Sequence, residues 1–230
     1  MKQHLRIGGL IFSDMDQIDF TGPFEVLSRL RNSTFHVIAK TRQPIRDQKR
    51  LILTPEMTFG ETPQLDVLLV PGGHGQEALM DDEETLSFIR SQFGGGAWLF
   101  SVCTGALTCG AAGLLKGVRA TTHWRVLHLL PFFGAIPVDE RVVRQDRIVS
   151  AGGVTAGIDG ALYLASLLRG EAAAQEIQLM MQYATEPIFP SGHPRTAPVE
   201  ILEAAKRLTN EITQRRQETA ERISQKLNRR

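Results

Sequence analysis

Apolar positions along the chain fall into two patterns: short runs with almost no polar break, and longer stretches in which they recur three or four residues apart. Leu5 to Phe12 is a run of the first kind, bounded by Ser13-Asp14, and predicts a buried strand. Phe35 to Lys40, Leu65 to Val70 and Ala97 to Val102 predict three more. Two β-branched runs, Arg141-Val142-Val143 and Arg147-Ile148-Val149, flank the polar pair Gln145-Asp146 and predict a hairpin. A further hairpin strand is expected near Leu51-Ile52-Leu53, inside the polar, proline-punctuated stretch from Thr41 to Gln64. Helical spacing begins at Phe24, Val26, Leu27 and Leu30, with Thr21 as N-cap and Pro23 near the first turn. It returns over Asp81 to Phe93, which is acidic in its first turn and is broken by Gly94-Gly95-Gly96. An alanine-rich helix follows Cys103 and stops near Gly113; Trp124 to Phe133, Thr155 to Leu168 and Ala172 to Tyr183 predict three others. Arg119 to His123 fits a short strand or turn. After a proline- and glycine-rich link from Pro187 to Pro198, Ile201 to Leu227 predicts one long charged helix.

Strands alternating with helices predict an α/β fold, a mostly parallel sheet with helices on both faces. One domain is expected over residues 1–198, with a C-terminal helix over 199–230 that packs on this domain or on a partner subunit. The apolar stripe of that helix is narrow: Leu202, Ala205, Leu208, Ile212, Ile223 and Leu227. Sites in such sheets form at the carboxyl ends of strands. Asp19 follows the first strand, Gly72-Gly73 ends a middle one, and Cys103 ends the most buried.

Composition narrows the classes. A chain of 230 residues suits one large domain or a domain with an appendage. Its formal net charge of +1 gives no field that argues for nucleic acid or membrane as a partner. The basic residues near the C-terminus fit a solvated helix face better than a nucleic-acid contact. No apolar run approaches the roughly 18 residues of a membrane span, and Met1-Lys2-Gln3-His4 leads into a strand without a signal-type apolar region. Cys103 and Cys109 are the two cysteines, and on a helix rising about 1.5 Å per residue they stand too far apart for an easy disulfide. A reducing compartment, the cytoplasm, is the expected location.

The candidate chemistry centres on Cys103. Most single cysteines are inert core fillers. This one sits between a buried strand and a helix that opens with small residues, the layout of a nucleophile elbow. The helix N-terminus favours a thiolate and lowers the thiol pKa. Cys109, inside the helix, keeps the inert reading. Charge developing on an attacked substrate needs preorganised donors; the backbone N–H groups of Gly72, Gly73 and Thr104 are the candidates, although Gly-Gly after a strand more often only makes a tight turn. His123 either approaches the sulfur from a loop or is a hydrogen-bonded structural histidine, and the two readings stand level. Asp19, flanked by Ile18 and Phe20, either caps a helix near Thr21, the reading physics alone favours, or is a poorly solvated carboxyl able to donate a proton at neutral pH. His74 and Asp81 to Glu84 fit loop polarity and helix-terminal charge. No His, Cys and Asp residues share metal-ligand spacing, and neither a phosphate loop nor a dinucleotide fingerprint is present.

Taken together, Pro71-Gly72-Gly73, Ser101-Val102-Cys103-Thr104-Gly105, Ala120-Thr121-Thr122-His123-Trp124 and Gly152-Gly153-Val154-Thr155-Ala156-Gly157-Ile158-Asp159 resemble the DJ-1/PfpI superfamily. Gln17-Ile18-Asp19-Phe20-Thr21-Gly22-Pro23 adds to the likeness, which runs from about residue 5 to the C-terminal helix. Many members carry a glutamate near the first strand and a histidine directly after the cysteine. Asp19 and Thr104 at those positions point away from the peptidase-like and glyoxalase-like branches and toward the isonitrile-hydrating branch. Arg119 to Trp124, Gly134 to Val138 and Glu140 to Arg144 also look like that branch. The resemblance implies a flavodoxin-like fold, a homodimer, and hydration of an isonitrile, R–NC, to an N-substituted formamide without metal or organic cofactor. It implies Cys103 as nucleophile and Asp19 as acid. Thr104 would position substrate or water, and Gly72 with Thr104 would act as backbone donors; Gly73 and His123 remain substrate-binding candidates.

Three other functions are weighed against this one. A glyoxalase- or deglycase-like enzyme acting on small aldehydes is disfavoured by the missing histidine after Cys103. A ligand-sensing domain of the kind found in AraC-like regulators would need a DNA-binding segment, whereas this chain ends after one helix. A redox sensor built on oxidation of Cys103 uses the same thiol and stays open.

Overall fold

An apolar run without polar breaks is stable only as a strand covered on both faces, and the sheet is built from such runs. The computed structural model describes residues 3–227; Met1-Lys2 and the basic end that holds Arg229 and Arg230 lie outside the described residues. The chain runs β1 (Leu5–Leu10), α1 (Gln17–Leu27), β2 (Ser33–Ala39), β3 (Ile45–Arg46), β4 (Ile52–Leu53), β5 (Met57–Thr58), β6 (Val67–Val70), α2 (Gln76–Leu79), α3 (Glu83–Gly94), β7 (Trp98–Val102), α4 (Gly105–Ala111) and β8 (Arg119–Ala120). A 3-10 helix (Trp124–Phe133) follows, then β9 (Ile136–Pro137), β10 (Val142–Gln145), β11 (Ile148–Ala151), α5 (Ala156–Arg169), α6 (Glu171–Met180), α7 (Val199–Leu208) and α8 (Asn210–Leu227).

Seven strands form the central sheet in the order β10-β11-β7-β6-β1-β2-β5. Every pairing in it is parallel except the β10–β11 hairpin. Alternation along β6 shows how both faces are covered: Leu68 and Val70 join one buried cluster, Val67 and Leu69 the other. The first cluster packs beneath α3, α4, the 3-10 helix and α8; the second beneath α1, α5 and α6. This is the α/β architecture that the alternation of patterns predicts. The chain leaves β1 toward β2 on one side, while β6 pairs on the other. The carboxyl ends of β1 and β6 therefore flank a topological switch point, with β7 next in line.

Three elements differ from the sequence reading. Helix α1 starts before Thr21: Asp16 is its N-cap, accepting from the Ile18 N–H at 3.2 Å, and Pro23 falls within the helix. Trp124 to Phe133 winds as a 3-10 helix and not as an α-helix; Pro131, which has no N–H to give, lies inside it. The long C-terminal helix is two helices, α7 and α8, parted at Thr209, whose Oγ1 accepts from Arg125 Nε at 2.9 Å. The stripe is therefore not continuous: α7 buries no residue and Leu208 is exposed, while Ile212 and Ile223 of α8 are buried. Strands β5 and β9 and the short α2 carry too few residues to show a period in the sequence. Cys103 and Cys109 are both free thiols.

Candidate active site

Three chain segments meet at the switch point. The loop after β1 leads into α1 and brings Asp19 to its first turn. The loop after β6 carries Gly72 and Gly73. The turn after β7 carries Cys103. Backbone bonds tie the first two together: the Asp16 N–H donates to the Gly72 carbonyl at 3.0 Å, and Met15 forms an antiparallel bridge with Gly73.

Cys103 adopts φ 56°, the left-handed region that a side-chain-bearing residue enters only when its surroundings hold it there. Three contacts hold it. Its N–H donates to the Ala151 carbonyl of β11 at 3.0 Å, its carbonyl accepts from Thr122 Oγ1 at 2.6 Å, and the Thr104 N–H points to its sulfur. This is the elbow that the strand-to-helix layout predicts. The thiol is buried, and burial pushes its pKa well above the ordinary cysteine value; the neighbouring Asp19 pushes the same way, while the Thr104 N–H and Arg216 oppose. The expected lowering of the thiol pKa is therefore not found. Desolvation of a fully enclosed sulfur outweighs the helix N-terminus, and the group rests as a neutral thiol.

Asp19 is wholly buried and caps nothing, because Asp16 has that role. Its Oδ2 accepts from the Gly72 N–H at 3.0 Å. Its Oδ1 has no nitrogen or oxygen donor, and the Cys103 thiol is the side chain that meets the carboxyl. Burial, reinforced by Asp16, raises the Asp19 pKa from 3.8 to about 8 against the smaller opposing effects of Gly72, Cys103 and Arg216. At neutral pH the carboxyl holds a proton. Of the two sequence readings of Asp19, the poorly solvated acid is the one realised.

The two glycines do other work than expected. The Gly72 N–H is bonded to Asp19, and the Gly73 N–H donates to Thr104 Oγ1 at 3.2 Å, so both donors are spent on side chains of the site and not presented to a substrate. Glycine is demanded at each. A Cβ at Gly72 would stand 2.5 Å from Thr104 Oγ1; Gly73 has φ +117°, and its Cβ would meet the Asp16 nitrogen at 2.1 Å.

His123 makes no hydrogen bond with Cys103 among the described residues. It caps the 3-10 helix, its Nδ1 accepting from the Arg125 N–H at 3.4 Å, and burial, followed by Arg216 and Arg125, lowers its pKa to about 4. It is neutral at physiological pH, with the structural role as one of its two readings. It also borders a cleft of about 830 Å³ lined in part by Thr122, Trp124, Arg141, Gly153 and Arg195. Thr122, its neighbour, is the residue that reaches the elbow.

Two groups at the site were not anticipated. Arg216 of α8 is buried and donates to the Gly73 carbonyl and to Gln76 Oε1. Asp16 accepts from Gln48 Nε2 at 2.7 Å, and Gln48 Oε1 pairs with His74 Nδ1 at 2.6 Å, so His74 belongs to a polar chain leading to the Asp19 helix. Among the described residues no three His, Cys, Asp or Glu side chains are placed to hold a metal ion, and no helix is long and apolar enough to cross a membrane.

Comparison with known proteins shows what the chain is similar to. The DJ-1/PfpI family pattern matches residues 6–167. The isonitrile hydratase of Pseudomonas putida is 48% identical over 224 residues, covering 97% of this chain and 98% of that one. A crystal structure of a THiJ/PfpI family protein from Pseudomonas syringae superposes with a TM-score of 0.93 at 37% identity, over 95% of this chain and 91% of the other. Drosophila melanogaster DJ-1beta, at 19% identity, shares the fold with a TM-score of 0.72, over 80% of this chain and 100% of its own.

Proposed function

This chain belongs to the DJ-1/PfpI family, and from that premise we propose that it is a hydro-lyase that adds water to an isonitrile, R–NC, to give an N-substituted formamide. Near-full-length identity to an isonitrile hydratase carries the reading. The chemistry available at the switch point supports it: an enclosed sulfur at a strained elbow beside a carboxyl that keeps its proton at neutral pH.

Cys103 is the nucleophile and Asp19 the acid. Asp19 gives its proton to the terminal carbon of the isonitrile, which makes that carbon electrophilic. Sulfur bonds to the carbon while the thiol proton passes to the Asp19 carboxylate, leaving the thioimidate R–N=CH–S on Cys103. Water then adds to the same carbon, its protons pass to nitrogen and sulfur, and the C–S bond breaks. The formamide R–NH–CHO leaves, and thiol and carboxylic acid are both restored. The Thr104 N–H, directed at the sulfur, stabilises charge there as the C–S bond forms and breaks. Gly72 and Gly73 position Asp19 and Thr104. His123 contributes to the wall of the substrate cleft. No step calls for a cofactor.

The small-molecule substrate is converted in a cytoplasmic homodimer. The exposed apolar side chains Leu179, Met180, Ile188 and Phe189 support a covered face in an assembly. Residues 1–198 act as the catalytic α/β domain, and the 199–230 segment completes it.

The test is formamide production from cyclohexyl isocyanide by the purified protein and by Cys103→Ala. Turnover in the wild type that falls by about 10³-fold or more in the variant supports the reading. A folded wild type that makes no formamide overturns it.

A further inference from the structure

Arg216 stands far along the chain from the other groups of the site, on a helix whose stripe would ordinarily be filled by apolar residues. Only 6% of its surface is exposed. Its Nε donates to Gln76 Oε1 at 3.2 Å and its Nη2 to the Gly73 carbonyl. Gln76 is itself fixed, donating from Nε2 to Thr108 Oγ1 at 3.1 Å. Both acceptors of the guanidinium are neutral oxygens. Glu77, the acidic residue on the same side, accepts instead from Thr219 Oγ1 at 2.6 Å.

A guanidinium keeps its charge under all ordinary conditions, and burying one without an anion is costly. The groups that face Arg216 electrostatically are Cys103, Glu77 and Asp19, which favour its charge, and Arg215, which opposes it. It acts in turn on His74 and His123. Cys103 and Asp19 are both protonated at rest, so the pair is neutral and supplies the cation with no counter-charge. When one proton leaves for a substrate carbon, the pair carries a single negative charge.

We propose that Arg216 is a positioning residue whose fixed charge is the counter-ion to the anion that the Cys103–Asp19 pair becomes during reaction, while its bond to the Gly73 carbonyl holds the glycine loop against Thr104. The proposal rests on Cys103 as the nucleophile and not on the identity of the substrate. Its test therefore includes a readout that needs no isonitrile.

That readout is the rate of Cys103 alkylation by iodoacetamide as a function of pH, localised by peptide mapping, in the wild type, Arg216→Lys and Arg216→Gln. Arg216→Gln keeps a donor and loses the charge; Arg216→Lys keeps the charge and loses the fork. The midpoint is expected to rise by about one pH unit or more in Arg216→Gln, which at a fixed pH below it is roughly a tenfold slower reaction. Arg216→Lys is expected to stay within a few tenths of a unit of the wild type. With cyclohexyl isocyanide, kcat should fall about tenfold or more in Arg216→Gln, with KM within about threefold and most of the kcat restored in Arg216→Lys. An unchanged midpoint in folded Arg216→Gln overturns the proposal. If Arg216→Gln does not fold, Arg216→Lys decides: a wild-type midpoint supports the counter-ion role, and a midpoint raised by a unit overturns it. Altered alkylation in a protein that makes no formamide would refute the hydratase reading and leave this one standing.

Discussion

At the scale of single residues, the site depends on burial more than on charge. Asp19 holds its proton to about 8 because desolvation outweighs every donor around it. This has a consequence for stability whose sign is fixed. An unfolded chain loses the Asp19 proton near the ordinary value of 3.8, whereas the folded chain keeps it to about 8. Across that window the native state binds more protons than the unfolded state, so this group's contribution is complete at the acid end and is lost as pH rises through about 8. Asp19→Asn, neutral at every pH, removes that dependence. Melting temperatures measured from pH 5 to pH 9 should show the wild type losing ground to Asp19→Asn as pH rises. A gap between the two that does not change with pH would show that the carboxyl is already ionised in the fold. Formamide production by Asp19→Asn should fall by roughly 10²-fold or more through loss of the proton donor. The sequence showed Asp19 between Ile18 and Phe20 but left capping as the favoured role. The deciding fact, that Asp16 takes the cap, depends on where α1 begins, and helix ends are blurred in any pattern of apolar spacing.

At the scale of elements, a strand-to-helix turn holds Cys103 in place because its neighbours hold the turn. The layout of β7, Cys103 and the small residues opening α4 was legible from one run of sequence, because the apolar strand and the break in pattern are local. The groups that lock it are not. Thr122 comes from the segment after β8, and its bond to the Cys103 carbonyl spans 19 positions in the chain. Thr122→Val keeps the shape and leaves that buried carbonyl without its donor. It should cost about 1 to 3 kcal/mol of stability in urea titration and lower kcat roughly tenfold through a loosened elbow. Wild-type kcat in Thr122→Val would show that the strained φ is held by the remaining contacts alone. Arg216 did leave a trace in the sequence. It lies four positions after Ile212 and seven before Ile223, on the buried stripe of α8, where a charge is out of place unless it has work to do. Reading α7 and α8 as one helix concealed this, since the stripe of a single long helix need not meet the catalytic end of the sheet at all. The break at Thr209 sets the course of α8.

At the scale of the whole molecule, the doubly covered parallel sheet puts the ends of β1, β6 and β7 side by side, and so brings together residues 19, 72, 103 and 104 from distant stretches. The alternation of apolar runs with helical spacing was enough to predict that architecture. The lengths of β5 and β9 were beyond it, because two residues have no period. The same assembly encloses the sulfur and the carboxyl together, so that both are neutral at rest; in the proposed reaction a proton moves only when a substrate carbon can accept it. The central claim is the covalent bond between that carbon and Cys103. The most direct measurement is acid-quenched mass spectrometry of the protein turning over cyclohexyl isocyanide, with peptide mapping, beside Cys103→Ser. The account predicts an adduct on the Cys103 peptide equal in mass to one whole isonitrile, with neither adduct nor formamide in Cys103→Ser. An unmodified Cys103 peptide, together with formamide forming at the wild-type rate in Cys103→Ser, would contradict it.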